Sequence, residues 1–240
     1  TGTCTRQEAP SFAWRTSYIP NESIDFIFTD PPFGANINYS EMNVLWESWL
    51  GEFTDNANEV IVNRAQGKSI SDYESLMEES LSECYRVLRP GHWMLLVFMN
   101  SSKSVWEALK NAVHNAGFLT ERLDIFDKQH GTFKQFVSDN TAGCDLVLHC
   151  RKPLVSEQTE CESADVTNAV TNIESIAMFL EKRNTNMPVT AYLHVARDNE
   201  LDLRRLYSEW LAYGLPKDHE LADFSTFRDL IRSNVEAWDR

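Results

Sequence analysis

The stretch IDFIFTDPPF, residues 24–33, decides the fold. Residues 24–30 are nearly continuously apolar and rich in β-prone side chains, and the run stops at Pro31-Pro32. Such a run is typical of a strand that is buried on both faces of a parallel sheet. We therefore predict a buried strand that ends at Asp30.

The segments that follow alternate between helix and strand patterns. Ser71 and Glu74 have the spacing of a capping box, and apolar residues then recur at helical intervals as far as Pro90-Gly91. WMLLVFM, residues 93–99, has the composition of another buried strand. Strand, helix and strand in this order predict a parallel α/β sheet.

A second helix and two more strands complete this region. The helix is predicted from about Ser102 to its stop at Gly117. LTERLDIF, residues 119–126, and CDLVLHC, residues 144–150, have strand patterns. We expect them to form an antiparallel pair at one edge of the sheet.

The chain divides by composition into three parts. Residues 1–154 form the α/β region, and residues 155–172 are rich in Ser, Thr, Glu and Asn, as linkers are. Residues 173–240 are predicted to be a small helical appendage, with helical patterns over residues 173–182, 201–213 and 224–238.

Composition and charge restrict the possible functions. The net charge of −14 means that contact with nucleic acid requires a local basic patch, a partner or a further segment. No apolar run is long enough to span a bilayer and the start is not a signal peptide, so we expect a cytoplasmic protein without membrane contact. The cysteines, at positions 4, 84, 144, 150 and 161, form no C-x-x-C pair, which predicts reduced thiols and no metal site.

The four residues Asp30-Pro31-Pro32-Phe33 have the chemistry of an amino-group site. Ligands of open α/β sheets bind beyond the carboxyl ends of the strands, where Asp30 is predicted to lie. Two prolines fix an extended backbone and hold the Asp30 carboxylate and the flanking carbonyls in place. An amino group on a heterocycle could donate to the carboxylate and to a prolyl carbonyl while its ring stacks on Phe33. The alternative is a strand-ending turn with Phe33 in the core.

The sequence around this motif resembles a known family. The matching segments are TDPPFGANINYSEMNVLWESWLG (29–51), YESLMEESLSECYRVLRPG (73–91), WMLLVFMNSS (93–102), VWEALKNAVHNAGF (105–118) and GTFKQFVSDNTAGCDLVLHCRKP (131–153). In this order they resemble the amino-group DNA methyltransferases, above all the large bacterial site-specific DNA methylases. The resemblance implies a Rossmann-like methyltransferase sheet, S-adenosyl-L-methionine as cofactor, DNA as substrate, and catalysis at Asp30, Pro31, Pro32 and Phe33.

One feature of that family is absent. Its glycine-rich cofactor loop, of the Phe-x-Gly-x-Gly type, occurs nowhere in the 240 residues. We therefore expect the chain to be the catalytic half of a longer protein, or to depend on other protein subunits for the cofactor-binding strands. Within the chain, the resemblance leaves Asp30, Asn36 and Glu41 as candidate cofactor contacts.

Two further segments are candidates for contact with the target. Tyr39 lies on the loop that enters a helix containing Trp46 and Trp49, whose indoles we expect to pack on the sheet. Residues 128–135, KQHGTFKQ, contain no acid in an otherwise acidic chain. Such a turn could meet DNA phosphates through Lys128, His130 and Lys134. The resemblance implies that it offers Phe133 to a flipped base. The alternative is a solvated hairpin tip.

The main hypothesis is methylation of an exocyclic amino group in DNA. The resemblance favours N6 of adenine over N4 of cytosine, since in the resembling families Asp-Pro-Pro mostly accompanies adenine and Ser-Pro-Pro tends to accompany cytosine. Two alternatives stay open at this point. One is amino-group methylation of RNA, and the other is a non-catalytic methyltransferase-like scaffold in a modification or defence complex.

Overall fold

The fold is mixed α/β. The computed structural model describes residues 18–35, 37–51, 53–126, 144–157, 170–184 and 200–238. The strands are β1 (Ile24–Thr29), β2 (Leu88–Phe98), β3 (Leu119–Phe126) and β4 (Asp145–Arg151). The α-helices are α1 (Tyr39–Leu50), α2 (Ile70–Val87), α3 (Lys103–Asn115), α4 (Asn172–Asn184), α5 (Glu200–Gly214) and α6 (Phe224–Trp238).

The described strands form one sheet in the order β1-β2-β4-β3. β1 and β2 run parallel, and β4 is antiparallel to both β2 and β3. The predicted strand at the start of the chain and the predicted antiparallel pair at one edge are therefore confirmed. β1 is the outermost described strand at the other edge.

Helices cover one face of this sheet. Met94, Leu96 and Phe98 of β2 are completely buried there, in one cluster with apolar residues of α2 and α3. The Phe98 and Trp106 rings meet edge to face with centroids 4.9 Å apart. This apolar layer fixes the sheet against both helices and so positions the carboxyl ends of β1 and β2.

The prediction that β1 is buried on both faces is wrong. Phe26 and Phe28 point to the opposite face of the sheet, where 52% and 64% of their surface is exposed. Trp93 pairs with Phe26 and is also exposed. Their exposure is a consequence of the tertiary structure, because none of α2, α3 or the other described helices covers these side chains.

The helices begin and end at capping residues. The capping box of α2 is formed by Ser69 and Asp72, not by Ser71 and Glu74 as predicted, and the helix starts at Ile70. The Ser69 amide donates to the Asp72 carboxylate at 2.7 Å. Both pairs have the same spacing, and Ser69 is the N-cap because its backbone is extended there. The predicted stop at Gly117 is confirmed by its φ of 94°.

The three C-terminal helices α4, α5 and α6 lie close to their predicted positions. Their buried residues belong to the same apolar cluster as the sheet, α2 and α3. The Phe224 amide donates to the Ser101 carbonyl at 2.9 Å, and the Tyr207 hydroxyl donates to the Ala222 carbonyl at 2.8 Å. The division of the chain at residues 155–172 stays a prediction, since residues 158–169 lie outside the described ranges.

No helix in the described part of the chain is both long and apolar enough to cross a membrane.

Cys84, Cys144 and Cys150 are free thiols, and burial raises the pKa of the Cys84 thiol to about 11.

Candidate active site

The Asp30–Phe33 segment lies at the carboxyl end of β1, beside the carboxyl end of β2. Asp30 is exposed, Pro31, Pro32 and Phe33 are half-buried, and Gly34 is buried. Because β1 and β2 are parallel, residues that follow the two strands meet at one edge of the sheet. Asn100 comes two residues after β2 and contacts this segment.

Two side chains hold the backbone of the motif. The Tyr73 hydroxyl donates to the Pro32 carbonyl at 2.8 Å, and the Asn100 amide donates to the Phe33 carbonyl at 2.9 Å. The Asn100 side-chain oxygen in turn accepts from the Ser102 amide at 2.7 Å. Among the described residues, no side chain or amide donates to the Pro31 carbonyl.

The Phe33 ring packs on the apolar core. It meets Phe98 edge to face, with ring centroids 5.1 Å apart at an interplanar angle of 78°. The ring is half-buried, so the core contact occupies part of its surface. The role of Phe33 in stacking on a base stays a prediction.

Gly34 permits the chain to turn against α3. Its φ is 74°, and a Cβ at this position would lie 3.2 Å from the Val105 Cγ2 atom. A larger residue would therefore meet both backbone strain and a steric contact. The close approach brings the motif against the first turn of α3.

Tyr39 lies within electrostatic reach of Asp30. Burial, reinforced by the negative charge of Asp30, raises the pKa of the Tyr39 phenol. Burial, and then the neighbouring Tyr39, also raises the pKa of Tyr73. Both phenols are protonated at neutral pH and can donate hydrogen bonds. The structure thus brings together Asp30, Tyr39 and Tyr73, of which the sequence predicted the first two.

A buried carboxylate fixes the start of α1. The Ser40 amide and hydroxyl donate to the two Glu59 carboxylate oxygens at 2.9 Å and 2.7 Å. The Lys68 ammonium donates to the Glu59 carbonyl. Ser40 directly follows Tyr39, so these contacts position Tyr39. Sequence reasoning missed Glu59 and Tyr73, because no local motif links them to residues so far away in the chain.

The other predicted site residues have different positions. Glu41 is exposed in the first turn of α1, where it accepts from the Asn38 side chain at 3.2 Å. Asn36 lies outside the described residues, and so do the predicted target contacts Lys128, His130, Phe133 and Lys134. Their roles stay predictions.

The expectation that Trp46 and Trp49 pack on the sheet is wrong. Their side chains are 69% and 90% exposed. Ser40 is the buried residue of α1, and Met42, Leu45 and Leu50 are exposed as well. The helical spacing of these residues predicted a helix correctly. It could not show that the apolar side chains of this helix are exposed.

A cavity of about 640 Å³ opens at the same edge of the sheet. Its walls include Ala35 beside the motif, Asn100 and Ser101 after β2, and Arg204 and Arg228 from the C-terminal helices. The Arg204 guanidinium lies 4.7 Å from the centre of the Phe224 ring. Arg204 and Arg228 therefore line the same cavity as Ala35, which lies two residues after the motif.

Comparison with known proteins identifies the family. Residues 24–210 match the N6_N4_Mtase family, described as DNA methylase. No curated protein is significantly similar to the chain in sequence.

Three crystal structures of a candidate DNA modification methylase from Thermus thermophilus also match, each with a TM-score of 0.33. The selenomethionine derivative has 15% identity over 62% of this chain and 55% of its own length. A second crystal structure has 11% identity over 92% and 90%, and the complex with S-adenosyl-L-methionine has 13% over 93% and 80%. Because the family match covers more than half of the 240 residues, the chain belongs to the DNA methylase family.

Proposed function

We propose that this chain is the catalytic part of a DNA methyltransferase that modifies an exocyclic amino group, with N6 of adenine as the favoured target. The observation that carries the proposal is the geometry of the motif. Asp30 and Pro31 directly follow a parallel strand at its carboxyl end, on a backbone held by Tyr73 and Asn100. In this proposal the sheet is one half of a Rossmann-like methyltransferase sheet.

The chain's own residues would position the amino group. The Asp30 carboxylate and the Pro31 carbonyl would accept its two N–H groups and turn the nitrogen lone pair toward the methyl group that is to be transferred. This is mainly an effect of orientation, which lowers a barrier without strong base catalysis. Tyr39, whose pKa is raised by burial and by the negative charge of Asp30, stays protonated near the carboxylate at neutral pH.

The target base would leave the stack to reach this position. The exposed side of Phe33 would stack on it, and Phe133 would contact its other face. Lys128, His130 and Lys134 would contact DNA phosphates, which requires local positive charge in a chain with a net charge of −14. The purine ring offers more stacking area than a pyrimidine, which favours adenine.

DNA methylases use S-adenosyl-L-methionine, which supplies the methyl group. The residues present in this chain do not fit the whole cofactor. No two described glycines lie within two residues of each other, and the 240 residues contain no Gly-x-Gly sequence. The chain therefore lacks a glycine-rich loop whose amides could hold the cofactor, and Asp30, Asn36 and Glu41 would supply at most part of the site.

The Tyr73 hydroxyl is expected to act as a positioning group. In the Tyr73→Phe variant, the Pro32 carbonyl loses its hydrogen-bond donor, so the backbone of the Asp30–Phe33 segment becomes more mobile. We expect methyl transfer to fall about three- to tenfold, the value of one hydrogen bond, with little change in affinity for DNA. Single-turnover rates measure the first quantity and fluorescence anisotropy the second. Tyr85→Phe on the same helix is the matched control and should keep the normal rate.

Product analysis tests the proposed function. The complete methylating protein is incubated with labelled cofactor and with either unmethylated duplex DNA or RNA, and the digested nucleosides are identified by mass spectrometry. We expect label in N6-methyladenine. Label in N4-methylcytosine would overturn adenine as the target base, and label in RNA alone would overturn DNA as the substrate. The absence of label from both DNA and RNA would favour the non-catalytic scaffold.

A further inference from the structure

Asn100 joins the end of β2 to the Asp30–Phe33 segment. Its side chain donates to the Phe33 carbonyl at 2.9 Å and accepts from the Ser102 amide at 2.7 Å. The Asn100 carbonyl accepts from the Trp106 indole at 2.8 Å, and the residue is buried. Asn100 can therefore hold the Phe33 carbonyl only as firmly as the chain around Asn100 is itself held.

The chain that follows Asn100 enters α3 without a side-chain cap of its own. Ser102 is the N-cap residue, and within the described structure its side chain makes no capping hydrogen bond. The first amides of a helix have no acceptor inside the helix. The Lys103 amide, the first of α3, donates instead to the Asp223 carboxylate at 2.6 Å, although the two residues are 120 positions apart. Asp223 therefore caps α3 from another part of the chain, at the helix end where a negative charge is favourable.

Asp223 immediately precedes α6, and the start of α6 makes further contacts with this part of the chain. The Phe224 amide donates to the Ser101 carbonyl at 2.9 Å. The Lys103 ammonium lies 3.2 Å from the Glu220 carboxylate. The two hydrogen bonds from backbone amides run in opposite directions between the starts of α3 and α6, so a shift of one helix along the other would break both. The start of α6 therefore fixes the connection between β2 and α3.

The C-terminal helical region thus reaches the Asp30–Phe33 segment through a short series of contacts. Asp223 fixes the Lys103 amide, Lys103 lies three residues after Asn100, and Asn100 holds the Phe33 carbonyl. The residues matched by the DNA methylase family end at position 210, so Asp223 lies beyond the matched range. The composition of the chain predicted this region to be an appendage, whereas its contacts connect it to the candidate active site.

We propose that Asp223 is a positioning residue for methyl transfer, which holds the Asp30–Phe33 segment in place through the start of α3 and Asn100. The proposal rests on the proposed function for the reaction that this segment performs. Asp223 acts by restricting the motion of Asn100 and contacts no reacting atom. Because the orientation of the amino group depends on where Asp30 and Pro31 lie, a small displacement of the segment slows the reaction.

A purely structural cap is the alternative. Asp223 is exposed, so its truncation opens no apolar core. Loss of a helix cap alone would lower the free energy of unfolding and leave the kcat of the folded protein unchanged. A lower kcat without a change in KM therefore separates a positioning role from a structural one.

Steady-state kinetics of the complete methylating protein test the role of Asp223. We expect Asp223→Ala to lower kcat about tenfold, the value of one hydrogen bond to a charged group, with the KM for DNA nearly unchanged. Asp223→Asn keeps an oxygen that can accept from the Lys103 amide and should restore at least about half of the normal kcat. Asp218→Asn is the matched control and should keep the normal kcat, since Asp218 pairs with Lys110 further along α3.

Two variants at Lys103 test the same hydrogen bond from the donor side. Lys103→Pro removes the amide donor, and proline suits the first position of a helix that follows an extended residue such as Ser102. Lys103→Ala keeps the amide and removes only the ammonium that contacts Glu220. We expect kcat to be about tenfold lower in Lys103→Pro than in Lys103→Ala. Equal kcat values in the two variants would overturn the positioning role.

Combination with Asn100→Ala tests the route. If Asp223 acts through Asn100, the double variant should be at most about twofold slower than Asn100→Ala alone, whereas independent effects would multiply. Multiplied losses would overturn the route through Asn100. A normal kcat in Asp223→Ala, or no rescue by Asp223→Asn, would overturn the role of the hydrogen bond.

Hydrogen–deuterium exchange separates the positioning role from the proposed function, because it requires no methyl transfer. Gly34 is buried, so its amide exchanges when the segment opens. We expect Asp223→Ala, and not Asp218→Asn, to speed exchange in peptides that cover residues 30–35 at least about threefold. Faster exchange without methylated product from the unaltered protein would contradict the proposed function and leave the positioning role intact. Normal methylation with unchanged exchange in Asp223→Ala would refute the positioning role alone.

Discussion

The Asp30→Ala variant of the methylating protein should lose about 100- to 1,000-fold in the rate of methyl transfer, the scale of removing a preorganised polar group at a reacting centre. The reason is geometric. Without the carboxylate, the Pro31 carbonyl alone cannot fix the orientation of an amino group with two N–H donors. Asp30 is exposed, so its removal should leave the free energy of unfolding almost unchanged. Single-turnover assays with saturating DNA and cofactor measure the loss.

Asp25→Asn is the control for this variant. Asp25 lies on the same strand and is also exposed, but it pairs with Arg89 away from the motif. We expect it to keep the normal rate. If Asp30→Ala methylates at the normal rate, or if it unfolds the protein, the motif is a strand-ending turn and the proposed roles of Asp30 and Pro31 are wrong.

The Trp210→Ala variant should have the largest effect on stability. Trp210 is completely buried, stacks on Phe227 with ring centroids 5.3 Å apart, and donates from its indole to the Ser175 hydroxyl at 3.0 Å. Truncation leaves a cavity and removes one hydrogen bond of the Ser175 hydroxyl, which keeps its contact with His219, and the loss costs about 3–5 kcal/mol. Because the C-terminal helices share one apolar cluster with the sheet, we expect helix and sheet signals to unfold in a single transition at a lower denaturant concentration.

Trp49→Ala is the matched control, since Trp49 is 90% exposed. Its unfolding midpoint should move very little. Two separate transitions in either variant would show that residues 173–240 form an independent unit, as the composition of residues 155–172 suggested.

Local sequence signals were sufficient for most of the secondary structure and for the position of the motif. The apolar pattern of the sequence predicted β1 and α3. Pro31-Pro32 and Gly117 mark where β1 and α3 end, because proline and glycine restrict or relax the backbone directly. The capping box of α2 shows the limit of such signals. Ser69 with Asp72 and Ser71 with Glu74 fit the same pattern, and the extended backbone at Ser69 selected the first.

By itself the sequence determined the α/β class, the strand that ends at Asp30, the Asp-Pro-Pro-Phe chemistry and the absence of a glycine-rich loop, since each of these depends on residue types at short spacing. The tertiary structure alone decided which groups hold the motif and which apolar residues are buried. Tyr73 and Asn100 reach the Pro32 and Phe33 carbonyls from 41 and 67 residues away, a distance over which no local pattern is informative. Phe28 and Trp49 have the composition of core residues, yet burial depends on what packs against a side chain, and that is a property of the assembled fold.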